Sequence, residues 1–281
     1  TLEMVYGERA PELEKKLISS FGEGARVPIL ELMNHPDEDL QEIAQYVYEN
    51  IFLKYTMKQW GKSPKEIDPA VSGRVPVLLS RDNRYFQDKY QGMPKDGYTA
   101  MFQKMLSHPL ITVRTSADCK DCMEFADGKV LFDGKAFDGK VVYTGALDEL
   151  FDCEYGRLPY RSLDFVFEHY KEDSYQGRSV VNYTVSEKYT RITEFKYLTG
   201  QADASGTTIV KEYPFAYTGA EGEVPYYAII NDKNLALYQK YKEKLTGFEH
   251  VYLLGRLAEY EYYNIDAIVK KALMLADEIG R

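Results

Sequence analysis

No stretch of the chain stays apolar for the roughly 18 residues that a membrane-spanning helix requires. Nor does a cationic segment followed by an apolar one open it, so no secretion signal is read and a cytoplasmic protein is expected. Cysteine is scarce. Three cysteines in 281 residues cannot build a disulfide framework, and the odd number suits a reducing compartment. Cys119 and Cys122 make a lone C-x-x-C, but a structural zinc needs four ligands and no second Cys/His pair stands at metal spacing. His35, His108, His169 and His250 are scattered, so no metal is expected. Cationic excess is missing as well: 35 Lys and Arg against 44 Asp and Glu give a formal net charge of -9. That balance excludes broad nucleic-acid binding, which needs a basic face, and an anionic ligand would need a local cluster of arginines. The chain shows no internal repeat, and it lacks the G-x-G-x-x-G of dinucleotide sites. Gly22 and Gly24 stand two apart but have neither a third glycine nor a preceding strand.

What is abundant is tyrosine, with 25 residues. A tyrosine joins a flat apolar ring to a hydroxyl suited to sugars, bases and phosphates, although most of them are expected in the core or on the surface. With 44% hydrophobic and 28% charged residues the chain is a folded protein, long enough for more than one compact region.

Hydrophobic periodicity divides the chain into five segments. Residues 1–66 read as a helical bundle, with Leu40, Ile43, Ala44, Val47, Ile51 and Phe52 at helical spacing, Asn34 and Pro36 as start signals and Gly61 as a stop. Residues 67–96 read as a mobile loop and first strand, interrupted by Pro69, Gly73 and Pro76 and carrying Arg74. In residues 97–158 the pattern predicts a helix from Gly97 to His108 and a strand near Ile111 to Thr115. Asp-Gly turns follow at Asp127, Asp133 and Asp138, and a short buried strand from Lys140 to Tyr143 ends at Thr144 and Gly145. Residues 159–245 read as an antiparallel sheet with one wet face, Leu163, Phe165 and Phe167 alternating with Asp164 and Glu168. Residues 246–281 give a strand ending at Gly255 and an amphipathic helix. The fold class expected is therefore mixed α+β: a helical bundle, an antiparallel sheet and the remnant of an α/β nucleotide-binding domain.

Nine blocks carry a resemblance: YTMKQWGKSP from Tyr55, GRVPV from Gly73, RYFQDKYQGMPKDGYT from Arg84, YTGALDELFD from Tyr143, YRSLDF from Tyr160, YTRITEFKY from Tyr189, KEYPFAY from Lys211, PYYAIINDKN from Pro225 and GRLAEYEYYNID from Gly255. In this order they resemble the bacterial UDP-galactopyranose mutase family from about Tyr55 to the end. The resemblance implies an FAD-dependent isomerase that interconverts UDP-galactopyranose and UDP-galactofuranose for cell-surface glycans, through a covalent adduct with N5 of reduced flavin. It implies a nucleotide-sugar partner, no nucleic acid or membrane, and is compatible with a homodimer.

The resemblance also assigns residues. Arg74 and Arg191 are the essential pair at the diphosphate, where a guanidinium fork meets phosphate oxygens two at a time. Tyr55, Trp60, Tyr85, Arg161, Asn182, Tyr227 and Tyr262 match positions that line the nucleotide and sugar. Arg256 matches the arginine beside the flavin, Thr144 and Gly145 a backbone contact to FAD, and Asn264 and Ile265 the end of the site before the last helix. Asn264 stands where the family has an acid; asparagine caps a helix about as well, but without the charge. The resemblance further implies that the family's first βαβ unit, with its glycine fingerprint, precedes Thr1. The 281 residues alone are thus expected to hold FAD weakly and to be inactive. A non-catalytic UDP-binding module is the alternative, while an amine-oxidase type of flavin oxidoreductase is weakened by the YTMKQW, YRSL and YTRITE blocks.

Overall fold

A computed structural model describes residues 1–61, 76–82, 88–126, 128–201 and 205–280. Arg74 and Tyr85 lie outside the described residues. The chain divides into two compact units, one of Thr1–Lys95 with Phe165–Pro214 and one of Asp96–Asp164 with Phe215–Arg281.

The first unit begins with helices α1 (Leu2–Tyr6) and α2 (Ala10–Phe21). Pro11 sits in the first turn of α2, where its missing N–H costs nothing, and Gly22 at φ 90° ends the helix. Strand β1 (Arg26–Val27), helix α3 (Ile29–Met33) and helix α4 (Glu38–Val47) follow. Asp37 is the N-cap of α4, its carboxylate accepting from Asp39 N at 2.9 Å and Leu40 N at 3.3 Å; this displaces the start expected at Asn34 or Pro36. Leu13, Leu17, Val27, Ile29, Leu32, Leu40, Ile43 and Ala44 form the core of the helical part. Fully burying each leucine or isoleucine contributes roughly 1.5–3 kcal/mol against the entropy of ordering it.

A π-helical turn over Tyr48–Leu53 runs on into α5 (Lys54–Trp60), and Gly61 closes α5 in the left-handed region at φ 67°, as expected. Strand β2 (Val77–Leu78) pairs antiparallel with β1, Val27 opposite Val77.

The sheet strands are β7 (Tyr160–Tyr170), β8 (Val180–Asn182), β9 (Arg191–Glu194), β10 (Thr207–Ala216) and β11 (Tyr227–Ala228). Within the first unit their order is β7-β10-β9-β8, the antiparallel sheet anticipated from sequence. The short helix α9 (Lys196–Thr199) follows β9. The alternation expected along β7 is not what burial shows: Tyr160 to Leu163 are all buried, whereas Phe165, Val166 and Phe167 are all exposed. The strand changes surroundings along its length, so burial follows position and not parity.

The second unit starts with α6 (Gly97–Met105), as predicted. The strand expected at Ile111 to Thr115 is not formed, and Leu110, Ile111 and Val113 are exposed. No described strand pairs with this stretch, and without a partner for its N–H and C=O groups the apolar run gains nothing from being extended. After α7 (Cys119–Cys122) come the meander strands β3 (Met123–Ala126), β4 (Lys129–Phe132) and β5 (Lys135–Ala136). Asp133 and Gly134, at φ 48° and 73°, make the tight turn that sets Phe132 opposite Lys135. Asp138 and Gly139 join no hairpin; they lead into β6 (Val141–Tyr143), which is followed by α8 (Leu147–Leu150).

Helix α10 (Asp232–Lys244) was not anticipated, because its buried stripe is Asn234, Tyr238 and Tyr241 and not aliphatic. Strand β12 (Val251–Leu253) pairs parallel with β6, and α11 (Ile265–Ile279) closes the chain. The core of this unit is built largely on tyrosine: Tyr160, Tyr238, Tyr241 and Tyr260 are buried with Leu147, Leu150 and Leu158. Each hydroxyl keeps a partner, Tyr238 donating to Ala258 O at 3.0 Å, Tyr241 to Gly156 O at 2.7 Å and Tyr260 to Pro159 O at 2.7 Å.

Candidate functional site

In the first unit, register builds the site. Strands β8 and β9 set Asn182 opposite Arg191, and β9 and β10 set Arg191 opposite Glu212. Directly opposed residues share a face, so the three side chains form a row. Arg191 Nε donates to Asn182 Oδ1 at 3.1 Å, and its NH1 lies 3.6 Å from Glu212 Oε1. Burial pushes the Glu212 carboxyl above its ordinary range, and Arg191 pulls it part of the way back. The guanidinium is held in orientation by two neighbours, yet with about a third of its side chain exposed it can still meet a ligand. Glu212 was missed at the sequence level although it stands in the KEYPFAY block; the register opposite Arg191 is what singles it out.

Tyr55 and Trp60 are half-buried on α5 of the same unit. Lys58, one turn beyond Tyr55, donates to the carbonyls of Tyr183, Glu187 (3.1 Å) and Tyr189 (3.3 Å), all in the connection between β8 and β9.

In the second unit a different row forms. Tyr227 on β11 is registered opposite Arg161 on β7. Its ring stacks on Tyr262 with centroids 6.2 Å apart and planes at 11°, and the Arg256 guanidinium lies 4.3 Å from the centroid of Tyr262. Arg256 Nε donates to Tyr263 O at 2.6 Å. Burial lowers the pKa of Arg161, which still leaves an arginine charged at neutral pH.

The parallel pair of β6 and β12 brings their carboxyl ends side by side, Leu254 N donating to Tyr143 O at 3.1 Å. Thr144 and Gly145 leave one strand there, and Gly255 and Arg256 leave the other. Gly255 adopts φ 107°, a conformation that favours glycine, and Glu259 Oε2 accepts from its N–H at 2.9 Å. Lys271 salt-bridges Glu259 at 2.5 Å and donates to the Tyr263 hydroxyl; burial, together with a hydrogen bond to Glu261, pushes that hydroxyl up to about 12.

Asn264 is the N-cap of α11, but its side chain makes no capping hydrogen bond, which corrects the expected role. Asn264 and Ile265 are both exposed, so water can meet the first-turn N–H groups and a side-chain cap adds little. Among the described residues no cluster of metal-ligating side chains occurs, and no helix is long and apolar enough to cross a membrane.

A sequence profile of the UDP-galactopyranose mutase family matches residues 50–262. The chain belongs to the UDP-galactopyranose mutase family. Relatives include a UDP-galactopyranose mutase of Mycoplasma genitalium, 35% identical over 274 residues, and a probable UDP-galactopyranose mutase of Klebsiella pneumoniae, 35% identical over 270. A dTDP-fucopyranose mutase of Escherichia coli is 34% identical over 268 residues. These alignments cover 94 to 96% of this chain and 66 to 68% of the relatives, so the chain spans about two thirds of their length.

Proposed function

We propose that the chain carries the nucleotide-sugar site of a flavin-dependent mutase that interconverts UDP-galactopyranose and UDP-galactofuranose. The observation that carries this reading is the row of Asn182, Arg191 and Glu212, in which a partly exposed guanidinium is aimed by its neighbours in a family of nucleotide-sugar mutases. A diphosphate meeting Arg191 would gain charge-assisted, paired hydrogen bonds, and these strengthen as UDP departs and charge builds on the β-phosphate. Glu212 orients Arg191 before the ligand arrives. On the strength of the resemblance, Tyr55 and Trp60 offer flat faces to the uracil and sugar, Tyr85, Tyr227 and Tyr262 are assigned to the diphosphate or sugar, Arg161 to the neighbourhood of the ligand, and Arg74 to the diphosphate.

Reduced FAD, when bound, supplies the nucleophile for the anomeric carbon. The residues present fit one end of that group. Arg256, held over the Tyr262 ring, places a cation beside the carboxyl ends of β6 and β12, which suits an electron-rich reduced ring. Thr144, Gly145, Asn264 and Ile265 would line the same end. A pyrophosphate cradle of the G-x-G-x-x-G kind does not occur in the 281 residues, so the chain alone is expected to bind FAD weakly and not to turn over.

The near-equal identity to a dTDP-fucopyranose mutase favours testing a second nucleotide sugar. Calorimetric titration of the purified chain with UDP and with dTDP, beside its visible spectrum, tests the reading. UDP binding that Arg191→Ala weakens, by a chain without flavin colour, is the expected result. Preference for dTDP would move the substrate to a deoxythymidine sugar, and no binding of either nucleotide would overturn the proposal. UDP binding with no mutase turnover, even in a longer protein supplied with reduced FAD, would leave a non-catalytic binding module.

A further inference from the structure

The sequence motif YTMKQW contains two aromatic residues that the proposed site uses and a lysine that it does not. Lys58 projects from α5, and its ammonium meets three backbone carbonyls, those of Tyr183, Glu187 and Tyr189. All three belong to the connection that links Asn182, the last residue of β8, to Arg191, the first of β9. An ammonium has three N–H donors and no acceptor, so it can satisfy three convergent carbonyls at once. A planar guanidinium cannot converge in this way, and a neutral side chain brings fewer donors. The same connection is closed at its base by Tyr183 N donating to Thr190 O at 2.9 Å, while Thr190 N donates to Glu212 O at 2.9 Å. It is lined by rings, Tyr183 and Tyr189 meeting edge to face at 4.9 Å.

Burial depresses the Lys58 pKa and the nearby Glu187 charge opposes that, so the site bears a real desolvation cost. Tyr55 lies one turn before Lys58 on α5 and Trp60 two residues after it, so fixing Lys58 fixes the rotation of the helix that presents both rings.

We propose that Lys58 is a positioning residue: by holding the Tyr183, Glu187 and Tyr189 carbonyls it locks α5 onto the β8–β9 connection and so sets Tyr55 and Trp60 relative to Asn182 and Arg191. This rests on the reading of those residues as a nucleotide-sugar site. The test compares wild type with Lys58→Met, which keeps the stem and removes the donors, and with Lys58→Arg, which keeps the charge. Ile43→Ala, a cavity in the helical core of the same unit, serves as a control for lost stability.

UDP affinity is measured by calorimetry, and exchange of the Tyr183 and Thr190 amides by hydrogen–deuterium exchange without ligand. Lys58→Met is expected to bind UDP at least tenfold more weakly and to exchange those amides at least tenfold faster. Lys58→Arg should recover part of both losses, and Ile43→Ala should melt earlier while binding UDP as wild type does. Wild-type UDP affinity in Lys58→Met, or unchanged exchange at Tyr183 and Thr190, would overturn the proposal. Should the wild-type chain bind no UDP, the nucleotide-sugar reading fails and the clamp stands or falls on exchange alone. Should Lys58→Met not fold, Lys58→Arg decides, with exchange faster than wild type supporting the clamp and unchanged exchange contradicting it.

Discussion

Arg191 and Arg256 are both half-buried arginines in matched family segments, but they are held in different ways. Arg191 is oriented by an amide oxygen and a buried carboxylate, so its charge is already partly answered inside the protein. Arg256 is oriented by an aromatic face and a backbone carbonyl, and among the described residues no carboxylate pairs with it. The nearby acids Glu259 and Glu261 are occupied by Lys271. On the roles proposed for them, the two are matched to their tasks: an arginine that exchanges partners with a diphosphate benefits from an internal stand-in, while one that keeps a standing positive potential benefits from a partner without charge.

The strongest way to break the second arrangement is through the backbone that presents Arg256. Gly255 stands at φ 107° with nothing within 4 Å of the place a Cβ would take, so Gly255→Ala meets strain and no clash. A loss of about 1–3 kcal/mol is expected, read as a lower melting temperature; a neutral alanine would mean the turn relaxes freely.

The first arrangement is sharpened by Glu212→Gln. Removing the charge while keeping the shape should cost under about 1 kcal/mol of stability, because the Arg191 partner is partly exposed. It should also tighten UDP binding, since the guanidinium charge is no longer answered within the protein. The amide oxygen of the Gln variant still aims Arg191, so weaker UDP binding would contradict the view that the Glu212 charge competes with the ligand.

On the aromatic side, Tyr262→Ala should lose at least about 0.5–1 kcal/mol more than Tyr262→Phe, because only the alanine variant removes the ring that carries both the Arg256 contact and the Tyr227 stack. Equal melting temperatures would dismiss both ring contacts as supports.

The smallest effect concerns a second buried acid. Glu212 has an arginine; Asp148, fully buried, has Leu158 N–H at 2.9 Å and the Cys153 thiol at 3.6 Å on one carboxylate oxygen and, among the described residues, no partner on the other. Burial raises its pKa, so the folded state holds the proton more tightly than the unfolded chain. Its stabilising contribution is complete below the ordinary aspartate value of about 3.9 and is lost as pH rises through the raised folded value. Asp148→Asn should therefore match wild type in thermal melts near the bottom of that range and equal or exceed it at neutral pH. A variant much less stable at neutral pH would mean that the charged carboxylate is required.

Much of the fold was legible where apolar side chains set the period. Leu40, Ile43 and Ala44 announced α4, Gly61 its continuation's end, and the apolar face of α11 the last helix. Legibility failed where burial is done by tyrosine, as on α10, and where an apolar run such as Ile111 to Thr115 has no described strand to pair with. For the candidate site, the blocks named Arg191, Arg256, Tyr227 and Tyr262, and the resemblance added Asn182 outside them; the structure joins Arg191 to Asn182 and Tyr262 to both Arg256 and Tyr227 by contact. Glu212 and Lys58 were not legible, because their meaning lies in cross-strand register and in convergent backbone carbonyls, neither of which has a period in sequence.

The most direct test of the account is UDP affinity measured side by side in wild type, Arg191→Ala and Arg256→Ala. Losing the paired, charge-assisted contact at Arg191 should weaken UDP by about 1.5–3 kcal/mol, roughly ten- to a hundredfold, whereas Arg256→Ala should bind UDP as wild type does. Equal affinity in wild type and Arg191→Ala, or a loss confined to Arg256→Ala, would contradict the assignment of the diphosphate to the row of Asn182, Arg191 and Glu212.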